Sequence, residues 1–179
     1  MIEPIGKAQQ LLVVEHTVDY IRQAEGIFEQ KFPTIDVIFD LSGTSAGMFK
    51  IKGRCNQIRY NPWIFAKYFD DNLEGTVPHE VAHYIVHRLY GHRRSRRHRI
   101  LPHGEEWRGL MAAFGADDSV TGNYDLSGIP QRRQRRFDYQ CQCRSHALST
   151  RRHNNVLRGD SQYLCRYCKT TLVSVPGQA

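Results

Sequence analysis

One decapeptide constrains this chain more than any other: VPHEVAHYIV, residues 77–86. Val77, Val81, Ala82, Ile85 and Val86 recur at spacings that turn one helix largely into a core. The same helix must carry His79, Glu80 and His83. A buried polar group without a partner costs roughly 1 to 3 kcal/mol, so the surrounding fold has to supply partners for all three. Positions four apart share a helix face, so His79 and His83 can present two imidazoles to one point, with Glu80 beside them. A metal ion at that point meets the need. A bare HExxH asks for only three residue types and arises by chance, so surface histidines and a solvated carboxylate are the bland alternative, and the neighbouring sequence must decide.

A catalytic zinc needs a third protein ligand and an open position. His103 stands twenty residues after His83, behind Pro102 and before Gly104, at the mouth of a helix expected over GEEWRGLMAAFG, residues 104–115. Glu105 and Glu106 are rival ligands on that helix. Zinc held by three neutral histidines lowers the pKa of a bound water to about 7. Glu80 is then placed to accept the water proton as general base and pass it to a leaving amine. Peptide hydrolysis is the expected reaction. Tyr84, Tyr90 and Tyr124 are candidates for an additional oxyanion donor, none preferred.

Residues 7–31 place Leu11, Leu12, Val14, Val18, Ile21 and Phe28 mostly three or four apart, which predicts an amphipathic helix, bent near Gly26 and ended by Pro33. IDVIFDL (35–41), GMFKI (47–51) and QIRY (57–60) read as three strands of an antiparallel meander. The HExxH helix is expected over 76–89, capped by Thr76 or Gly75, with Pro78 in its first turn. Trp63, Phe65, Tyr68 and Phe69 are expected in the core, as is Trp107, which shares one helix face with Leu110, Met111 and Phe114. A chain of 179 residues is the size of one domain, or of one domain and a small module, and the order of elements gives an α+β fold.

Four of the five cysteines crowd into the last quarter, as CQC at 141–143 and CRYC at 165–168. In a reducing compartment such clustering favours metal over disulfides. Cys141, Cys143, Cys165 and Cys168 form the simplest structural zinc site. His146 is an alternative ligand in place of one of the first two, and His153 a further candidate. So small a segment could hardly fold without a staple. Cys55 stands alone and is expected to be structural.

The formal net charge is +7, which admits a polyanion as partner. Arginines concentrate in three places. Arg93, Arg94, Arg96, Arg97 and Arg99 follow the HExxH helix. Arg132, Arg133, Arg135 and Arg136 lie in an extended linker, and Arg151, Arg152 and Arg158 fall in the last module. Such clusters bind phosphates without regard to sequence, and Tyr139, Tyr163 and Tyr167 could stack bases of single-stranded DNA. No run of about 18 apolar residues predicts a membrane span. MIEPIGKAQQ lacks a secretory pattern, so the expected address is the cytoplasm, with association to the nucleoid.

TVPHEVAHYI, then HGEEWRGLM, then YQCQC…RRH…GDSQYLCRYCKTTLV resembles, over nearly the whole chain, the SprT-like family of zinc metalloproteases, especially its bacterial members. The resemblance implies a zincin-like catalytic domain over 1–118, a basic linker over 119–136 and a zinc-ribbon module over 137–179. It also implies one catalytic zinc on His79, His83 and His103, with Glu80 as the catalytic glutamate. Eukaryotic relatives of the Spartan type digest proteins crosslinked to DNA, which makes DNA-bound protein the implied substrate and single-stranded or structured DNA the implied partner. The runner-up is an adaptor that binds nucleic acid and uses zinc only structurally. Glu80 favours the enzyme, because a scaffold has no use for a general base.

Overall fold

A helix of 22 residues, α1 (Lys7–Phe28), leads the chain in the computed structural model, which describes residues 2–52, 55–91, 100–119, 124–131 and 135–175. The helix runs through Gly26 without the expected bend. A Cβ added at that glycine would meet nothing within 4 Å, so the position faces open space and packs against nothing. It ends at Glu29, whose left-handed backbone (φ 50°) lets its N–H return to the Glu25 carbonyl.

The buried stripe of α1 is Val13, Thr17, Ile21 and Ala24, not the apolar set expected from spacing. Leu11, Leu12, Val18 and Phe28 are exposed. The phase turns on Thr17. Its hydroxyl donates to the Val13 carbonyl at 2.7 Å and lies 3.1 Å from the Tyr60 hydroxyl, so a polar residue enters the core fully hydrogen-bonded, and apolar counting passes over it.

Three strands follow: β1 (Asp36–Ile38), β2 (Gly47–Lys52) and β3 (Cys55–Tyr60). Their order is β1-β3-β2, with β1 parallel to β3 and β2 antiparallel to it, so the expected meander is wrong. The connection from β1 crosses the end of β3 instead of turning back beside β1. Leu41 N–H bonds the Tyr60 carbonyl and Asn61 N–H the Ala46 carbonyl. Ile58, at the centre of the middle strand, is fully buried.

Asn61 then caps α2 (Pro62–Lys67), its Oδ1 accepting from Trp63 and Ile64 N–H. Its Nδ2 donates to the Gly43 and Ser45 carbonyls. One buried amide therefore ties the helix start to the loop that feeds β2. Phe65 is fully buried, as expected, while Trp63, Tyr68 and Phe69 are half-buried.

A short helix α3 (Phe69–Asp71) passes through a π-helical turn, Asn72–Thr76, straight into α4 (Val77–Tyr90). Thr76 has helical angles and no capping bond, so neither Thr76 nor Gly75 acts as the expected cap. The backbone is already helical there, and the Thr76 hydroxyl instead donates to Asn72 Oδ1 at 2.7 Å. Val77, Val81, Ala82 and Ile85 are fully buried. Helix α5 (Glu105–Ala113) buries Trp107, Leu110 and Met111 and closes at Gly115, whose φ of 70° suits a residue without Cβ.

The chain divides into two compact units, Met1–Gln131 and Arg132–Ala179. The second contains β4 (Arg136–Gln140), β5 (Ser145–Ser149), α6 (Thr150–Leu157) and β6 (Val173–Ser174), in an antiparallel sheet of order β5-β4-β6. Tyr139, Leu148, Cys165 and Leu172 make its core. Helices and small sheets thus combine in an α+β fold. No helix of the described residues is long and apolar enough to cross a membrane.

Candidate functional site

Helix α4 presents His79 and His83 one turn apart, and the residue before the Gly104 N-cap of α5 returns His103 to them. His83 Nε2 lies 3.1 Å from His79 Nε2 and 3.1 Å from His103 Nε2, and His103 and His79 close the triangle at 3.3 Å. Three neutral imidazoles have one N–H each, and a triangle of this size cannot be satisfied by hydrogen bonds alone. It fits an ion. Zinc–nitrogen bonds of about 2.0–2.1 Å in a tetrahedron set neighbouring nitrogens roughly 3.3–3.4 Å apart. Glu105 and Glu106, the rivals to His103, are not among the grouped ligand atoms.

Burial holds these rings neutral, the form a metal requires. It pushes His79 down to about 4, helped by His103, and His83 down to about 3, helped by His79 and His103. His103 is lowered too, again mainly by burial. Trp107, expected only as core, also forms the floor beneath the cluster. Its ring centroid is 4.8 Å from those of His79 and His103 and 5.7 Å from that of His83. Its indole N–H donates to the His79 carbonyl at 3.3 Å.

Glu80 is 6% exposed, and Phe49 N–H on β2 donates to its Oε2 at 2.6 Å. Burial pushes the carboxyl up to about 7, with the Phe49 amide pulling the other way. Sequence reasoning did not find this partner, which comes from a strand thirty-one residues away. Nor did it find Gly47: a Cβ there would meet Glu80 Cγ at 2.7 Å, Glu80 Oε1 at 2.8 Å and Thr76 Cγ2 at 2.7 Å. A glycine between a strand run and the HExxH helix was the available signal.

A cleft of about 700 Å³ exposes His79 and Glu80. Thr44 to Gly47, Asp71, Glu74, Thr76, Gly115 to Asp117, Ser119 and Tyr124 also line it. Of the three tyrosines considered, Tyr124 faces this cleft. Tyr84 is 2% exposed and donates to the Pro33 carbonyl at 2.5 Å.

In the second unit, Cys141, Cys143, Cys165 and Cys168 bring their sulfurs within 4.8 Å of one another. Cys141 and Cys143 are 3.4 Å apart, Cys143 and Cys165 3.7 Å. Zinc–sulfur bonds of about 2.3 Å in a tetrahedron give separations of roughly 3.8 Å, so this set also fits an ion. His146 Nε2 lies 3.3 Å from Cys141 Sγ but outside the group of four. His153 is elsewhere, stacked on Phe137 at 3.7 Å.

A sequence model of the SprT-like family matches residues 17–125. The curated Protein SprT of Vibrio parahaemolyticus is 37% identical over 172 residues, 96% of this chain and 94% of that one. This chain belongs to the SprT-like family. Protein SprT of Pseudomonas paraeruginosa is 39% identical over 156 residues, covering 85% and 87%, and that of Pasteurella multocida 34% over 154 residues, covering 86% of each. No solved structure matches.

The expected nucleic-acid contacts divide unevenly in this SprT-like chain. Arg93, Arg94, Arg96, Arg97, Arg99, Arg132 and Arg133 lie outside the described residues. Arg135, Arg136, Arg151 and Arg152 are exposed, whereas Arg158 pairs with Asp160 at 2.9 Å. Tyr139 cannot stack a base: it is fully buried and its hydroxyl lies 3.0 Å from His153 Nδ1. The period of β4 turns it inward. Tyr167 is 71% exposed, with the Arg144 guanidinium 3.7 Å from its ring centre. Cys55, expected to be structural, is exposed at the start of β3.

Proposed function

We propose that this SprT-like protein is a zinc-dependent endopeptidase that acts on proteins bound or crosslinked to DNA. The observation that carries the reading is the convergence of three neutral imidazoles, His79, His83 and His103, beside a buried glutamate in an open cleft. These histidines would hold the catalytic zinc in a zincin-like first unit. Cys141, Cys143, Cys165 and Cys168 would hold a second, structural zinc in a ribbon-like second unit, with His146 in reserve beside Cys141.

When bound, the catalytic zinc supplies a Lewis acid that polarises a peptide carbonyl and lowers the pKa of a water to about 7. Glu80 does the proton work. Its carboxylate takes the proton of the attacking water and returns it to the nitrogen of the departing amine. The Phe49 amide holds one carboxylate oxygen, which aims the other at the water. Trp107 fixes the imidazole rings from below.

The net charge of +7, the exposed Arg135, Arg136, Arg151 and Arg152, and the arginine-backed Tyr167 support DNA as the surface that gathers substrate. Such a role belongs in the cytoplasm, at the nucleoid. The test is cleavage of a DNA-binding protein by zinc-loaded wild type and by Glu80→Gln, each with and without single-stranded DNA. Cleavage by wild type alone, raised by DNA, is expected. Retained cleavage by Glu80→Gln removes the glutamate from the mechanism. DNA affinity that stays flat between about 50 and 200 mM salt removes the phosphate contacts.

A further inference from the structure

The cleft places more beside Glu80 than the ligand histidines. Five of its lining residues carry a hydroxyl: Thr44, Ser45, Thr76, Ser119 and Tyr124. Two are committed as donors, Thr76 to Asn72 Oδ1 at 2.7 Å and Ser119 to Asp117 Oδ2 at 2.5 Å. Thr44 and Ser45 are exposed and short. No lysine or arginine lines the cleft among the described residues. Among the described residues, the one long-reaching neutral side-chain donor that lines the cleft is the phenol of Tyr124.

We propose that Tyr124 is a catalytic residue, its hydroxyl donating a hydrogen bond to the oxygen of the scissile carbonyl as that oxygen becomes negative. The assignment rests on the peptidase reading above. As a water oxygen adds to the carbonyl carbon and its proton passes to Glu80, the π pair of the carbonyl moves onto oxygen. Tyr124 keeps its proton throughout, and its hydrogen bond strengthens as the charge develops. A donor aimed at such an oxygen contributes about 10² to 10³ in rate when it is held in place beforehand.

Tyr124 is held in place. Its ring lies against Tyr68, with centroids 4.8 Å apart. The next residue is pinned by two side chains: Lys67 Nζ donates to the Asp125 carbonyl at 2.7 Å and to Asp125 Oδ2 at 2.8 Å, and the Tyr68 hydroxyl donates to the same carbonyl at 3.0 Å. Asp125 Oδ1 accepts from Ser127 N–H at 2.9 Å, which closes a tight turn. Burial raises the phenol above its ordinary value, which favours the protonated form that can donate.

Tyr124→Phe tests this, because it keeps the ring against Tyr68 and removes only the O–H. Zinc-loaded full-length wild type, Tyr124→Phe and Glu80→Gln would be compared on casein with single-stranded DNA present, together with zinc content, melting temperature and affinity for a phosphinic peptide that mimics the tetrahedral centre. The expected result is unchanged zinc content, kcat lowered about 100-fold, KM within about threefold, and phosphinate affinity weakened in parallel with kcat. Wild-type kcat and phosphinate affinity in Tyr124→Phe, with Glu80→Gln inactive, overturn the assignment and leave the peptidase standing. Cleavage retained by Glu80→Gln, or absent in wild type, overturns the peptidase reading and this assignment with it.

Discussion

Replacing Gly47 by alanine should disable Glu80, the proposed general base, without touching a proposed metal ligand. The added Cβ would lie 2.7 Å from Glu80 Cγ, 2.8 Å from Glu80 Oε1 and 2.7 Å from Thr76 Cγ2. Ordinary contact begins near about 3.4 Å, so neighbours must give way by roughly 0.6 Å or more. Thr76 sits in a hydrogen-bonded turn, so Glu80 yields. Its carboxylate then leaves the Phe49 amide, now 2.6 Å away, and turns from the cleft. Overpacking of this kind costs about 1–3 kcal/mol of stability, and misplacing a general base costs about 10² to 10⁴ in rate. The assay is kcat on a protein substrate alongside zinc content and thermal unfolding. Gly109→Ala serves as control, since a Cβ added there would meet nothing within 4 Å. A Gly47→Ala protein with kcat within about threefold of wild type, while Glu80→Gln is inactive, would show that the strand does not set the glutamate, and the reasoning would fail.

Removing metal should make the first unit acid-sensitive. His79 and His83 titrate near 4 and 3 in the folded, metal-free chain against an ordinary 6.5, so below about pH 6.5 the unfolded chain takes up two protons that the folded one refuses. Glu80, raised to about 7 from 4.5, holds one proton in the folded state over the same window and offsets one of the two. His103 is lowered by burial too and adds in the same sense, so the net difference is at least one proton and the loss at least about 1 kcal/mol per pH unit between roughly pH 6 and 5, after discounting for solvent at the cleft. Urea titrations of chelated protein at those two pH values check the sign, and equal midpoints would contradict it. In the second unit, Cys165→Ser should lower zinc stoichiometry by one and melt residues 135–175 while the histidine site keeps its metal, because so small a core depends on its staple. Preserved amide dispersion from that segment in a heteronuclear spectrum would show that the sulfurs are not what folds it.

Much of the site could be read in the sequence because its carriers are local. The helical period of residues 77–86 and the Pro-His-Gly stretch before α5 are short-range signals, and both histidine-bearing elements lie near where that spacing puts them. What escaped depends on contacts between distant segments. The Phe49 amide and the bare face of Gly47 acquire meaning only once β2 lies against α4. The strand order escaped because runs of three to six residues carry no record of which neighbour they pair with. The phase of α1 was misjudged because Thr17 enters the core by bonding Val13 and Tyr60, so an apolar count chose leucines that face solvent. Tyr139 was misread for the converse reason: basic neighbours in sequence say nothing about which face of a strand a ring occupies.

The π-helical turn before α4 has a consequence for tolerated changes in length. Val77 N–H reaches back to the Asn72 carbonyl, five residues away, so this turn holds one residue more than an α-helix would. Deleting a single residue there would restore uninterrupted α register and leave the two flanks close to their present phase, because the turn already absorbs the extra residue. Asp71 would stay on the cleft side. The same deletion inside α4 would rotate one flank by roughly 100° against the other and take His79 and His83 off their shared face. The turn is therefore the one stretch of this helix where the chain can shorten by a residue without undoing the histidine spacing.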